Sequence, residues 1–234
     1  MVYNWIDNIQ EQLYPAACVL CGDRGLDDLE LCISCRNQLP RNLNPCSRCA
    51  LPLPIGGNSR LCGRCAKHAP RFQRIYAPFL YHSPVDHLIQ ALKFHEQLAN
   101  GRLLGKLLAD HLLHQGYPRP QVIVPVPLHR RQLRERVFYH SAELARQLAR
   151  ELSLDWSSRL LHKVRHTQPQ HGLDQKHRVK NLKRCFRFDN RQALTHVAIV
   201  DDVVTTGSTA TEITSSLNSQ GVEYVQIWAL ARTH

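Results

Sequence analysis

An α/β fold with a mostly parallel sheet and helices on both faces, preceded by a small cysteine-rich module, is the architecture that the 234-residue sequence predicts. Three observations predict it. Eight of the nine cysteines lie before residue 66. After about Pro70, apolar strand-like runs alternate with stretches of helical periodicity. One of those runs, from His196, ends in two adjacent aspartates followed by TTGST. Strands that alternate with helices are joined by crossovers, and crossovers lay helices over a parallel sheet. The expected division is residues 1–70 for the N-terminal module and residues 71–234 for the α/β domain.

At the N-terminus, Val2, Trp5, Ile6, Ile9 and Leu13 recur at helical spacing until Pro15 ends the run, which reads as a short docking helix. Four CxxC pairs follow: Cys18 and Cys21, Cys32 and Cys35, Cys46 and Cys49, Cys62 and Cys65. A CxxC turn presents two thiolates to one tetrahedral zinc, and a second pair about a dozen residues on completes a four-cysteine site. The intervals fit two structural zinc sites, Cys18/Cys21/Cys32/Cys35 and Cys46/Cys49/Cys62/Cys65, with cross-bracing of the first and third pairs as the alternative. No histidine precedes His68, so both sites are all-thiolate and closed, the pattern of structural rather than catalytic zinc. The region is poor in apolar residues and rich in turn formers, as in LPLPIGGNS from Leu51, so metal has to supply much of its stability.

Beyond Pro70, Arg74 to Tyr81 reads as a strand interrupted by Pro78, and Val85 to His95 and Leu103 to His114 as helices. Gln121 to Leu128 is a buried strand running into a proline-marked loop, and Ser141 to Leu152 an amphipathic helix. A strand at His196 to Asp201, a helix from about Thr209 to Ser219 stopped by Gly221, and a strand at Tyr224 to Leu230 complete the order. No apolar run approaches the roughly 20 residues of a membrane span, and no leader pattern is recognisable, so a cytoplasmic protein is expected.

The net charge of +11 is concentrated in the second part: seven Lys/Arg against six Asp/Glu up to Pro70, twenty-three against thirteen after it. Arg159 to Arg191 alone carries ten Lys/Arg and two acids, Asp174 and Asp189. Such a surface attracts polyanions, whether nucleic acid or a phosphorylated small molecule. Phe186 and Phe188 are the aromatics in that segment that base stacking would use, which implies weak sequence preference.

In a parallel sheet, ligands sit beyond the carboxyl ends of the strands, where Asp201 and Asp202 are expected. The following TTGST offers consecutive amides, small hydroxyls and a glycine at a helix start, a cradle for phosphate. With no partner evident in the sequence, the two carboxylates are expected to face the hydroxyls of a phosphorylated pentose and to repel each other without it. None of the fourteen histidines falls in a recognisable constellation.

Val200 to Thr209 (VDDVVTTGST) resembles the phosphoribosyl pyrophosphate (PRPP) signature of type I phosphoribosyltransferases. Along its whole length the chain resembles the ComF/GntX family, which joins a double zinc ribbon to a phosphoribosyltransferase-like domain. The landmarks are Leu92 and Lys93, VPVPLH from Val124, Arg136, Phe138, Thr167, Gln170, Leu173, Arg178, Asn181, Phe186 and the closing ALART from Ala229. The resemblance implies that Asp201 and Asp202 bind the ribose hydroxyls, and that Thr205, Thr206, Gly207, Ser208 and Thr209 hold the 5′-phosphate. It also implies that Pro125, Val126, Pro127, Leu128, His129 and Arg136 meet pyrophosphate, with Arg130, Arg131 and Arg134 nearby. Gln170, Arg178 and Asn181 belong to an implied flexible loop between Lys163 and Arg184, and magnesium is implied with PRPP. One stretch departs from the family: RVFYHS at Arg136 to Ser141 stands where relatives have RGFNQA or a close variant.

The function implied is PRPP binding within DNA uptake or use of extracellular DNA, with single-stranded DNA on the basic surface and a DNA-uptake protein as a further partner. Two alternatives stand beside it: an active phosphoribosyltransferase on an unidentified base or amine, and a zinc-scaffolded adaptor for another protein.

Overall fold

The computed structural model describes residues 16–26, 29–57, 59–94, 98–128, 139–165, 182 and 184–234. The helix expected over 2–13 lies outside these residues, as do His129 to Phe138 and, in the basic segment, Thr167, Gln170, Leu173, Arg178 and Asn181.

Two short helices, α1 (Ile33–Gln38) and α2 (Gly63–Lys67), follow the second and fourth CxxC pairs. Then come β1 (Arg74–Tyr76), β2 (Phe79–Leu80), α3 (Val85–Phe94), α4 (Leu98–Gln115), β3 (Val122–Pro125) and α5 (His140–Leu152). The chain closes with β4 (Leu161–Lys163), β5 (Phe186–Phe188), β6 (His196–Val204), α6 (Ser208–Asn218) and β7 (Tyr224–Arg232). The five-stranded sheet runs β1-β7-β6-β3, with β2 also on β7, and every pairing is parallel. Proline offers no N–H to a ladder, and Pro78 accordingly splits the predicted Arg74–Tyr81 strand into two pieces that both pair with β7.

Side chains alternate across the sheet and build two cores. On one face, Ala198, Val200, Trp228 and Leu230 pack with Ile89, Leu92, Leu104, Leu108, Leu144 and Leu148 from α3, α4 and α5. On the other, Val197, Ile199, Val225 and Ile227 pack with Ile213 and Leu217 of α6 and with Phe186 and Phe188 of β5. The cysteine-rich module joins both: Cys18 and Cys32 lie in the first core, Cys46, Cys49, Cys62 and Cys65 in the second. It also covers the edge of the sheet, since Ile75 donates to the Arg48 carbonyl, Asn42 to that of Pro78, and Leu80 to that of Pro40.

Three expectations change. β6 and β7 run on to Val204 and Arg232, because Val203 pairs with Ala231 and Val204 with Arg232; the aspartates therefore sit within a strand rather than at its end. The basic segment is framed by the antiparallel pair β4 and β5, which three-residue strands hid from periodicity. Within that pair Phe186 and Phe188 are buried, so they pack the core and are not available to stack on bases.

Candidate functional site

Cys32 and Cys62 cap α1 and α2, their sulfurs accepting from the amides of Cys35 (3.4 Å) and Cys65 (3.5 Å). The residue after each first-pair turn takes left-handed backbone: Gly22 at φ 81° and Ala50 at φ 54°. In each group the four sulfurs lie within 4.8 Å of one another. The groups are Cys18/Cys21/Cys32/Cys35 and Cys46/Cys49/Cys62/Cys65, so pairing is sequential and cross-bracing is overturned. Cys21 and Cys32 sulfurs are 3.6 Å apart, Cys49 and Cys62 sulfurs 3.7 Å. Tetrahedral zinc with bonds near 2.3 Å sets sulfurs roughly 3.8 Å apart, so the residues fit the metal. Against the desolvation of burial, the amides of Cys32, Leu20 and Cys21 hold the Cys18 thiol down at about 6, and those of Cys49, Cys62 and Arg48 hold Cys46 at about 7. Burial and neighbouring sulfurs push Cys65 up, a conflict that a divalent cation removes. These are two structural four-cysteine zinc sites.

The loop after β6 holds the second feature. Gly207, at φ 77°, is the N-cap of α6, a conformation that opens the turn without Cβ strain. Gly207 itself supplies no side-chain cap to that helix. Thr206 and Ser208 hydroxyls lie 2.7 Å apart, and the Ser208 amide donates to Thr206 Oγ1 at 3.3 Å. Behind the loop, Arg232 of β7 is 2 % exposed. Its guanidinium donates to the carbonyls of Val204 (3.1 Å), Thr205 and Thr233 (2.9 Å), and to that of Cys49 (3.2 Å). One side chain thereby ties the loop to the second zinc site. The ALART ending was legible in the sequence, but nothing in it marked this role.

Successive residues of a strand face opposite ways, so the aspartates separate. Asp202 is buried; its Oδ2 meets Lys93 Nζ of α3 at 2.6 Å and His140 Nε2 of α5 at 3.2 Å. This corrects the expectation that the fold leaves both acids unpaired, and the expectation that no histidine joins a constellation. Burial alone would raise Asp202; the His140 hydrogen bond and the Lys93 charge outweigh it and hold the carboxyl well below its ordinary range. Asp201 has no such cation at contact distance among the described residues; its Oδ1 accepts the Asp202 amide at 2.9 Å. Burial and then the Asp202 charge push it up to about 7. The pair thus carries fewer than two negative charges near neutrality, with Asp202 ionised and Asp201 ionised in part. His140 Nδ1 is buried and has no hydrogen-bond partner among the described residues.

Pro125, Val126, Pro127 and Leu128 leave β3 beside β6, with Pro125 opposite Val200. Tyr139 Oη donates to the Val126 carbonyl at 2.9 Å, joining this loop to the start of α5. Burial and the Asp201 charge raise the Tyr139 phenol, so it stays a donor. Tyr139 and His140 are two of the residues that replace the family pattern, and each makes a contact of its own: Tyr139 with the β3 loop, His140 with Asp202. The structure therefore gathers Pro125 to Leu128, Asp201, Asp202 and Thr205 to Thr209 at one end of the sheet, and adds Lys93, Tyr139 and His140.

The double zinc ribbon domain family matches residues 9–66. The chain is 37 % identical over 224 residues to the DNA utilization protein YhgH of Salmonella typhi, across 94 % of this chain and 98 % of that one. It is 36 % identical to the YhgH protein of Escherichia coli K12, across 94 % and 98 %. With competence protein F of Haemophilus influenzae the identity is 34 % over 223 residues, across 92 % and 96 %. Among solved structures, a Trypanosoma cruzi hypoxanthine phosphoribosyl transferase covers 63 % of this chain and 66 % of its own at 17 % identity and a TM-score of 0.35. By near full-length identity to the DNA utilization and competence proteins, the chain belongs to the ComF/GntX family, with a double zinc ribbon ahead of its α/β domain.

Proposed function

We propose that this protein binds PRPP at the carboxyl end of β6 and acts in the uptake or use of DNA, the role carried in its relatives' names. The loop Thr205 to Thr209 is the observation behind this reading. A left-handed glycine at the N-cap, which offers no capping side chain, and two adjacent hydroxyls at a helix start suit a 5′-phosphate. Asp201, protonated in part at neutral pH, and Asp202 suit ribose hydroxyls, which both donate and accept. Magnesium would come with the ligand's diphosphate, since Lys93 and His140 already offset the charge of Asp202 while leaving it able to accept from a hydroxyl. Lys93 and His140 hold Asp202 in place, and Tyr139 fixes the turn that would face pyrophosphate.

Isothermal titration with PRPP and magnesium tests this, with Thr206→Val as the variant. One lost hydrogen bond to a charged phosphate costs roughly 1.5 to 3 kcal/mol, so affinity is expected to fall by at least tenfold. Absence of saturable binding to the wild type would end the reading. The same loop favours a transferase as second reading, in which a nitrogen nucleophile attacks C1′ and pyrophosphate leaves. Release of pyrophosphate from PRPP on addition of a base or amine identifies it. The exposed Ile33, Leu43 and Ile55 of the zinc module favour the adaptor reading, which predicts neither binding nor turnover.

Single-stranded DNA is the second ligand of this proposal. Arg159, Arg184 and Arg187 are exposed, whereas Arg191 pairs with Asp189 at 3.2 Å. Replacing Arg184, Arg187, Lys176 and Lys180 by alanine is expected to flatten the log–log salt dependence of binding by about 0.7 for each phosphate no longer neutralised. An unchanged slope and affinity places DNA elsewhere.

A further inference from the structure

The second zinc site lies against the phosphate loop, and one of its side chains faces that loop without a carboxylate. Arg64 stands inside the CGRC turn, between Cys62 and Cys65, on α2. A Cβ added at Gly207 would come within 3.9 Å of Arg64 Nη2, so the guanidinium reaches the N-cap of α6. Among the described residues no carboxylate pairs with Arg64, which is exposed. It also lies near Arg232, the second guanidinium at this loop, which donates to the Val204 and Thr205 carbonyls.

The thiolates of the zinc site attract Arg64 from behind, but toward the loop its placement is electrostatically unfavourable. A helix N-terminus carries a partial positive charge, so a cation there is repelled, and a second guanidinium close by adds to the repulsion. Arg232 is held on the far side of the loop, its Nε and Nη1 donating to the carbonyls of Cys49, Val204, Thr205 and Thr233. An anion between Arg64 and the amides of the loop turns both repulsions into attraction.

We propose that Arg64 of the zinc ribbon is a ligand-binding residue: it closes over a phosphate monoester held at Thr205 to Thr209, so that the anion site is shared between the two parts of the chain. The inference rests on the phosphoribosyl reading above and adds a residue to it. Zinc fixes the turn that carries Arg64, and Arg232 fixes the loop to the same turn's partner, Cys49. The two halves of the site are thus held in register by the metal.

The test uses ribose 5-phosphate and PRPP with magnesium as probes on the full-length, zinc-loaded protein. Arg64→Ala and Arg64→Lys are compared with Arg24→Ala, which removes a charge beside the first zinc site. Arg64→Ala is expected to weaken both probes about tenfold, Arg64→Lys less, and Arg24→Ala not at all, with two zinc ions retained in each. Zinc content and melting temperature without ligand are read in parallel. If Arg64 merely balances the thiolate charge, Arg64→Ala loses zinc or melts early while its zinc-loaded fraction binds like wild type; that outcome overturns the proposal. Equal affinities of wild type and Arg64→Ala overturn it too and leave the phosphoribosyl reading intact. Failure of the wild type to bind either probe sinks both.

Discussion

Cys46→Ala is expected to leave one zinc ion per chain and to unfold or precipitate the protein, whereas Cys21→Ala, also holding one zinc, retains a cooperative melt at lower temperature. Each four-cysteine site contributes folding free energy on the order of 10 kcal/mol, comparable to the whole stability of a typical domain. The two sites differ in what surrounds them. All four cysteines of the second are buried, in a core that includes Ile75, Ile199 and Ile227 of the sheet. Cys21 of the first is exposed and Cys35 half-buried. Loss of the second site therefore propagates into the sheet, and a chelator strips the first site sooner. Metal analysis and thermal melting of both variants check this. Intramolecular disulfides in place of zinc in wild type purified without reductant, or a Cys46→Ala melt within a few degrees of wild type, would refute it.

Asp201→Asn and Asp202→Asn are expected to shift stability in opposite directions. Removing the Asp202 charge leaves Lys93 and His140 without their carboxylate, and breaking such a buried pair costs about 3 to 5 kcal/mol, roughly 10 °C in Tm. Asp201 behaves otherwise. Its folded-state pKa of about 7 lies above the ordinary 3.8 of an aspartate, so between these values the native state holds a proton that the unfolded state has lost. Its presence makes wild-type stability fall as pH rises from about 4 to 7. Asp201→Asn removes that loss, so the variant should outlast wild type at pH 8 and match it near pH 4. Asp202 has the opposite sign: its depressed pKa contributes stability above about pH 4 that is lost on further acidification. Melting curves of the three proteins from pH 4 to 8 decide the matter; coincident curves for Asp202→Asn and wild type would show that the ion pairs carry no stability.

The zinc sites and the turn after β6 were legible because their geometry is local. A CxxC turn, or a glycine among hydroxyls after an apolar strand, carries its own geometry within a few residues. The order of strands and helices was equally visible, since α3 to α5 and β6 to β7 are long enough to show their periods. The partners of Asp202 were not. Lys93 and His140 come from helices 109 and 62 positions earlier in the chain, and only the stacking of α3 and α5 on one face of the sheet brings them together. Arg232 was hidden for the same reason, since a guanidinium at a strand end shows no sign of facing the carbonyl of Cys49. Strands of three residues, β4 and β5, are too short for any period to register.

The order β1-β7-β6-β3 places the last strand of the described chain between the first and the middle ones. During synthesis from the N-terminus, β1 emerges beside the completed cysteine turns but has no sheet neighbour until β7, some 150 residues later, has left the ribosome. The thiolates thus meet zinc while the core that will bury Cys46, Cys49, Cys62 and Cys65 does not yet exist. Metal supply during translation, more than metal affinity of the finished protein, then governs how many chains reach the native state, and the slow closure of such a long-range pairing lengthens the interval in which bare thiols are open to oxidation.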